Sequence, residues 1–190
     1  MKPCAWIHVL LIVGLAVFLS PFLAPAEALH ILGGADLGRY CRVVGGPDAR
    51  DALETHTAYG WICRDKDGRK LPHVVSFTQA CRLTHNNPAA IDVLRDFYNP
   101  YSWDCYGNAT EIGDVDFEGY CIKHLGHKGF KVAGNTAYNL YCITKNDQLV
   151  DVLENRSATK ACQWTWANST VIARLLNFND PSPKAWKCWW

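Results

Sequence analysis

The sequence predicts an α+β fold made by tandem duplication of one small disulfide-rich module, each copy a hairpin, two short helices and a closing strand. Three observations carry this. A pattern of cysteines and aromatics occurs twice at nearly constant spacing, eight cysteines follow an apolar leader, and strand and helix-capping signals fall at matching places in both copies.

The repeat is explicit. Tyr40-Cys41 recurs as Tyr120-Cys121, Thr57-Ala58-Tyr59 as Thr136-Ala137-Tyr138, Ala80-Cys81 as Ala161-Cys162, and Trp103-Asp104-Cys105 as Trp186-Lys187-Cys188. Self-similarity at a fixed period marks repeated supersecondary units. It divides the chain into residues 1–28, a first four-cysteine module at 29–107, a linker at 108–115 and a second module at 116–190.

Residues 1–28 read as a signal peptide. Lys2 is the only charged side chain before Glu27, residues 5–22 are almost wholly apolar, and Ala26-Glu27-Ala28 has the small-x-small pattern of a cleavage site. The apolar run approaches the length of a membrane span. However, Pro21, Pro25 and the lack of a basic flank favour cleavage over a stable anchor. The expectation is a secreted chain with no stable membrane insertion once the leader is removed.

Cys4 leaves with the leader, and Cys41, Cys63, Cys81, Cys105, Cys121, Cys142, Cys162 and Cys188 remain. An even set on an exported chain reads as a disulfide framework. Zinc competes for cysteines, but there is no Cys-x-x-Cys pair to make half a tetrahedral site. A module of this size seldom draws more than ~3–5 kcal/mol from its core. Disulfides within each copy would supply the rest, and four cysteines allow three connectivities.

Tyr59, Trp61 and Cys63 alternate as on a strand, as do Tyr138, Leu140 and Cys142, and Asp67-Gly68 and Asn146-Asp147 mark the turns that follow. The returning strands should hold Val74 and Val75 in the first copy, and Leu149, Val150 and Val152 in the second. Ser76 with Gln79 predicts a capped helix bearing Cys81, with Ser157 in the same place before Cys162. Asn87-Pro88 and Asn168 predict second helices, with Ile91, Leu94 and Phe97, or Ile172, Leu175 and Phe178, on their buried sides. Trp103 and Trp186 begin the closing strands.

The chain is 49% hydrophobic with a net charge of +1 and no basic run, which excludes a disordered chain and gives nucleic acid nothing to bind. No nucleophile elbow, metalloprotease helix or phosphate loop occurs, so no enzyme is expected and no cofactor is called for. Asp48, Asp51 and Glu54, and Asp114, Asp116 and Glu118, read as solvated loop charge. His124 and His127 read as surface histidines without a third metal ligand. Asn108, Asn155 and Asn168 stand in N-glycosylation sequons.

Subtracting one copy from the other leaves aromatics that a shared core does not require. Trp164 and Trp166 replace Leu83 and His85, Tyr141 replaces Ile62, and Trp189-Trp190 ends the chain. Trp164 and Trp166 are two positions apart, so a helix cannot turn both inward. These five are the candidate ligand-binding residues. They point to a non-catalytic secreted protein that binds an extracellular glycan or cell-wall polymer, on which two modules gain avidity. The alternative is a protein-directed module, an inhibitor or effector that binds another protein.

Overall fold

Helix and strand follow one another in nearly the same order in both halves, the second having one additional strand before its second helix. The computed structural model describes residues 29–152 and 155–190, with the side chains of 151, 152, 155 and 156 left out. The expected signal peptide lies outside the described residues. The first half runs β1 (His30–Gly33), α1 (Leu37–Gly45), β2 (Arg50–Leu53), β3 (Trp61–Arg64), α2 (Phe77–His85), β4 (Ile91–Leu94) and β5 (Trp103–Gly107). The second runs β6 (Glu111–Asp114), α3 (Phe117–Gly119) passing into a π turn (Tyr120–His124), β7 (Gly129–Val132), β8 (Leu140–Ile143), β9 (Leu149–Val152), α4 (Asn155–Thr165), β10 (Ile172–Leu175) and β11 (Trp186–Trp189).

Each half has one three-stranded antiparallel sheet with its closing strand in the centre, β1-β5-β4 and β6-β11-β10. Each also has a smaller sheet, β2-β3 or β7-β8-β9. Four disulfides lie within the halves: Cys41–Cys63, Cys81–Cys105, Cys121–Cys142 and Cys162–Cys188. In each half one bond ties the first helical segment to the smaller sheet, and the other ties the second helix to the larger. Under the loop-entropy model each contributes about 3 kcal/mol.

Several expectations are corrected. The apolar runs after Asn87 and Asn168 are strands β4 and β10, not helices. The spacing of Ile91 and Leu94 fits a helix, but β4 is buried along its whole length, so it shows no alternation that would betray a strand. Asp92 is tolerated inside because Thr78 Oγ1 and Arg174 Nη2 bond its carboxylate at 2.5 and 2.8 Å.

The helices that complete the count carry Tyr40-Cys41 and Tyr120-Cys121. Asp36 Oδ1 caps α1 from the Arg39 N–H, and Asp116 Oδ1 does the same from Gly119. Residues 108–115, expected as a linker, hold β6, whose Gly113 pairs with Cys188 as Gly33 of β1 pairs with Cys105. Val74 and Val75 form no strand, whereas β9 returns as expected. Strands β3 and β8 start at Trp61 and Leu140, beyond Tyr59 and Tyr138. Ser76 Oγ accepts the Gln79 N–H, but α4 starts at Asn155, which places Ser157 within it.

The buried core is continuous through both halves. Trp103 Nε1 donates to Ala58 O at 2.9 Å and Trp186 Nε1 donates to Ala137 O at 3.0 Å. Ala58 and Ala137 in turn donate their N–H groups to Phe97 O and Phe178 O. This ladder explains why Thr-Ala-Tyr and Trp-x-Cys occur together in each half.

Candidate binding site

An aromatic-walled cleft is built by the first half and begins at the start of α1. The Asp36 cap fixes that end of the helix, and its own N–H donates to Thr84 Oγ1 at 2.8 Å. Gly38 follows with a bare α-carbon. A Cβ there would stand 3.1 Å from Asp51 Oδ1 and 3.3 Å from Arg42 Nη1. Among the described residues, neither Asp51 nor Arg42 makes an ion pair or a side-chain hydrogen bond with another residue. Both face the opening with unspent polar atoms.

Strand β3 brings Trp61 to one wall of this cleft. Its Nε1 donates to Pro100 O at 2.8 Å, and its ring meets Tyr101 edge-on at 5.4 Å. Phe77 and Trp103, stacked at 3.8 Å, close the inner side. The cavity measures about 480 Å³, within the range of small-ligand sites. Tyr101 is 74% exposed, yet its loop is fixed. Asp96 Oδ1 accepts from Tyr98 N–H and Asn99 Oδ1 accepts from Tyr101 N–H. Ser102 Oγ accepts from Asp96 N–H and donates to Asp96 O.

A second, smaller cleft of about 220 Å³ opens where the halves meet. Phe97 and Phe178 line it, with Tyr98, Tyr141, Thr136 and Asn139 around them. Asn139 Oδ1 accepts both the Thr136 N–H and its hydroxyl, at 3.1 and 2.7 Å.

The residues expected from sequence do not share one surface. Tyr141 stands half-buried in the junction cleft. Trp164 packs half-buried against the core, near Tyr120 and His124. Trp166, 43% exposed, lies against the α-carbon of Gly113. Trp189 sits under the Arg174 guanidinium at 5.3 Å. By strand alternation it points away from Cys188 and so from α4. Trp190 is 47% exposed, and its backbone pairs with Thr110.

Among the described residues, no group of three or more His, Cys, Asp or Glu is placed to hold a metal ion. His124 stacks on Tyr120 at 5.0 Å. Of the sequon asparagines, Asn168 Oδ1 accepts from the Thr170 N–H and hydroxyl, Asn108 has a φ of 55°, and the Asn155 side chain lies outside the described residues.

Trp61, Tyr101, Arg42 and Asp51, which line the first cleft, are not among the five aromatics that set the second copy apart; they are features of the first copy that the second lacks. Gly38, Arg42 and Trp61 correspond to Glu118, Ile122 and Leu140, and the residue paired with Cys142 as Asp51 pairs with Cys63 is Phe130. No tyrosine occurs in residues 176–183. No protein-family model, curated protein or solved structure matches the chain.

Proposed function

We propose that the chain is an exported, non-catalytic binding protein that arose by duplication of one disulfide-stabilised module, and that its first half holds an extracellular glycan or cell-wall polymer. Four disulfides and the leader support export. Among the described residues, no helix is long and apolar enough to cross a membrane. The largely repeated element order and the repeated Trp-to-Ala hydrogen bond support duplication.

The single observation that carries the glycan reading is the Trp61–Tyr101 cleft with Asp51 and Arg42 unspent at its mouth. A sugar ring has an apolar C–H face and an equator of hydroxyls. Flat aromatic walls match the first, while a carboxylate acceptor and a guanidinium donor match the second. Asp36 Oδ1 caps α1, and Asp51 stands beside Gly38 with no hydrogen bond or ion pair of its side chain among the described residues, so its oxygens are available to accept from hydroxyls.

A glycan array probed with the mature chain, beside a pull-down from extracellular protein extracts, tests the reading. Retention on glycans that Trp61→Ala reduces at least tenfold is expected. A silent array with a specific protein captured would replace it with the protein-directed reading.

A further inference from the structure

The two clefts share one loop. Pro100 and Tyr101 belong to the first, and Phe97 and Tyr98 to the second. Tyr98 and Tyr101 stand at the crest between them, 71% and 74% exposed, with α-carbons at most about 11 Å apart. Each ring is braced by an inner aromatic of its own cleft: Tyr101 by Trp61 at 5.4 Å, Tyr98 edge-on by Phe97 at 5.1 Å.

The second cleft is also pre-formed. A Cβ on Gly134 would stand 2.4 Å from Asn139 Cγ, so glycine there makes the room the carboxamide occupies. With Oδ1 held by Thr136, the amide N–H groups of Asn139 are left to donate, and among the described residues they make no hydrogen bond. Tyr98, Asn139 and Tyr141 correspond to Asn179, Gly60 and Ile62, so both clefts are lined by residues the other half lacks. Part of the divergence between the halves therefore lies on either side of one loop, while Trp164, Trp166, Trp189 and Trp190 line neither cleft.

We propose that the clefts are successive subsites for one β-1,4-linked pyranose chain lying across the Tyr98–Tyr101 crest. The inference rests on the glycan reading above and narrows it. Equatorial β-1,4 linkages make an extended ribbon that presents an apolar ring face at every unit. Two aromatic-walled clefts joined by exposed tyrosines suit such a ribbon, and an isolated terminal sugar has no use for the second cleft.

Calorimetry on the mature full-length chain with chito- and cello-oligosaccharides tests this. The hexasaccharide of one series should bind at least tenfold more tightly than its disaccharide. Tyr98→Ala and Tyr141→Ala should each weaken the hexasaccharide roughly three- to tenfold and leave the disaccharide unchanged, while Trp61→Ala weakens both. Near-ultraviolet circular dichroism confirms that the three variants remain folded. Equal affinity for both lengths, or hexasaccharide binding indifferent to Tyr98 and Tyr141, overturns the two-subsite inference and leaves the first-cleft reading standing. Failure of both series to bind overturns it also, and only a silent glycan array removes the broader reading.

Discussion

The rings of Phe97 and Phe178 stack across the junction of the halves, 5.6 Å apart and 6° from parallel. Around them the contacts are nearly two-fold symmetric. Tyr59 meets Phe178 at 5.1 Å and Tyr138 meets Phe97 at 5.1 Å. That is the pattern of a self-complementary interface between like units, here within one chain. Phe178→Ala should lower stability by about 2–3 kcal/mol, as should Phe97→Ala at the matching position, since each removes a half-buried ring from a shared contact. Urea unfolding of the oxidised protein measures this. An unchanged midpoint would mean that the halves do not stabilise one another through these rings.

Symmetry breaks at Arg174. Its Nε donates to Asp92 O at 3.0 Å, and its Nη2 reaches Asp92 Oδ1 at 2.8 Å and Thr78 Oγ1 at 2.9 Å, all in the other half. Both side chains are largely enclosed, 14% and 11% exposed. Arg174→Ala leaves a buried carboxylate without its counter-charge and should cost about 3–5 kcal/mol. Adding Asp92→Asn should recover part of that loss, because the stranded charge disappears with it. A double-mutant cycle on unfolding free energies reads the coupling, and simple additivity of the two substitutions would refute it.

Much of the covalent plan was legible in the sequence. Tyr-Cys, Ala-Cys and Trp-x-Cys recur because each cysteine sits where a helix meets a strand, and such junctions tolerate few substitutes. What sequence hid has physical causes. Strands β4 and β10 are four residues long, too short to separate a strand from a helix by period. Asp92 looks like a surface residue until Arg174, distant in sequence, is seen to bond it. The first cleft was hidden because Trp61 alternates like a core residue, and only the fold shows Tyr101 turned edge-on toward it. Even so, Arg42 and Trp61 stand where the other copy has Ile122 and Leu140, a contrast the sequence already contained, whereas the match of Asp51 to Phe130 emerges only from the strand registers.

Asp104 gives the chain a pH signature. Burial raises its carboxyl above the ordinary value of 3.8, opposed by Arg95, whose Nε and Nη2 lie 2.7 and 3.0 Å from the two oxygens. A carboxyl with a raised value in the fold binds its proton more tightly there than in the unfolded chain. Its contribution to stability is therefore fully present below 3.8 and lost as pH rises through the raised value. Asp104→Asn keeps the side chain neutral throughout. It should match the parent at pH 3 and exceed it in stability at neutral pH. Thermal unfolding across that range measures the difference, and a variant less stable at neutral pH would show that the Arg95 pair outweighs burial.

Trp164 and Trp166 divide two roles between neighbouring positions. Trp164 packs against the core beside Tyr120, with its Cη2 where a Cβ on Gly119 would approach within 2.9 Å. Trp166 lies over Gly113, whose φ of 143° and bare α-carbon both admit the ring. Trp164→Ala should therefore cost about 2–3 kcal/mol, whereas Trp166→Ala should cost less than about 1 kcal/mol because much of the ring is already in water. Neither should alter glycan retention if the ligand lies along the first cleft. Denaturation curves and a retention assay on the same two proteins settle the point. A Trp166→Ala variant that unfolds normally and no longer binds would move the binding surface to the second half.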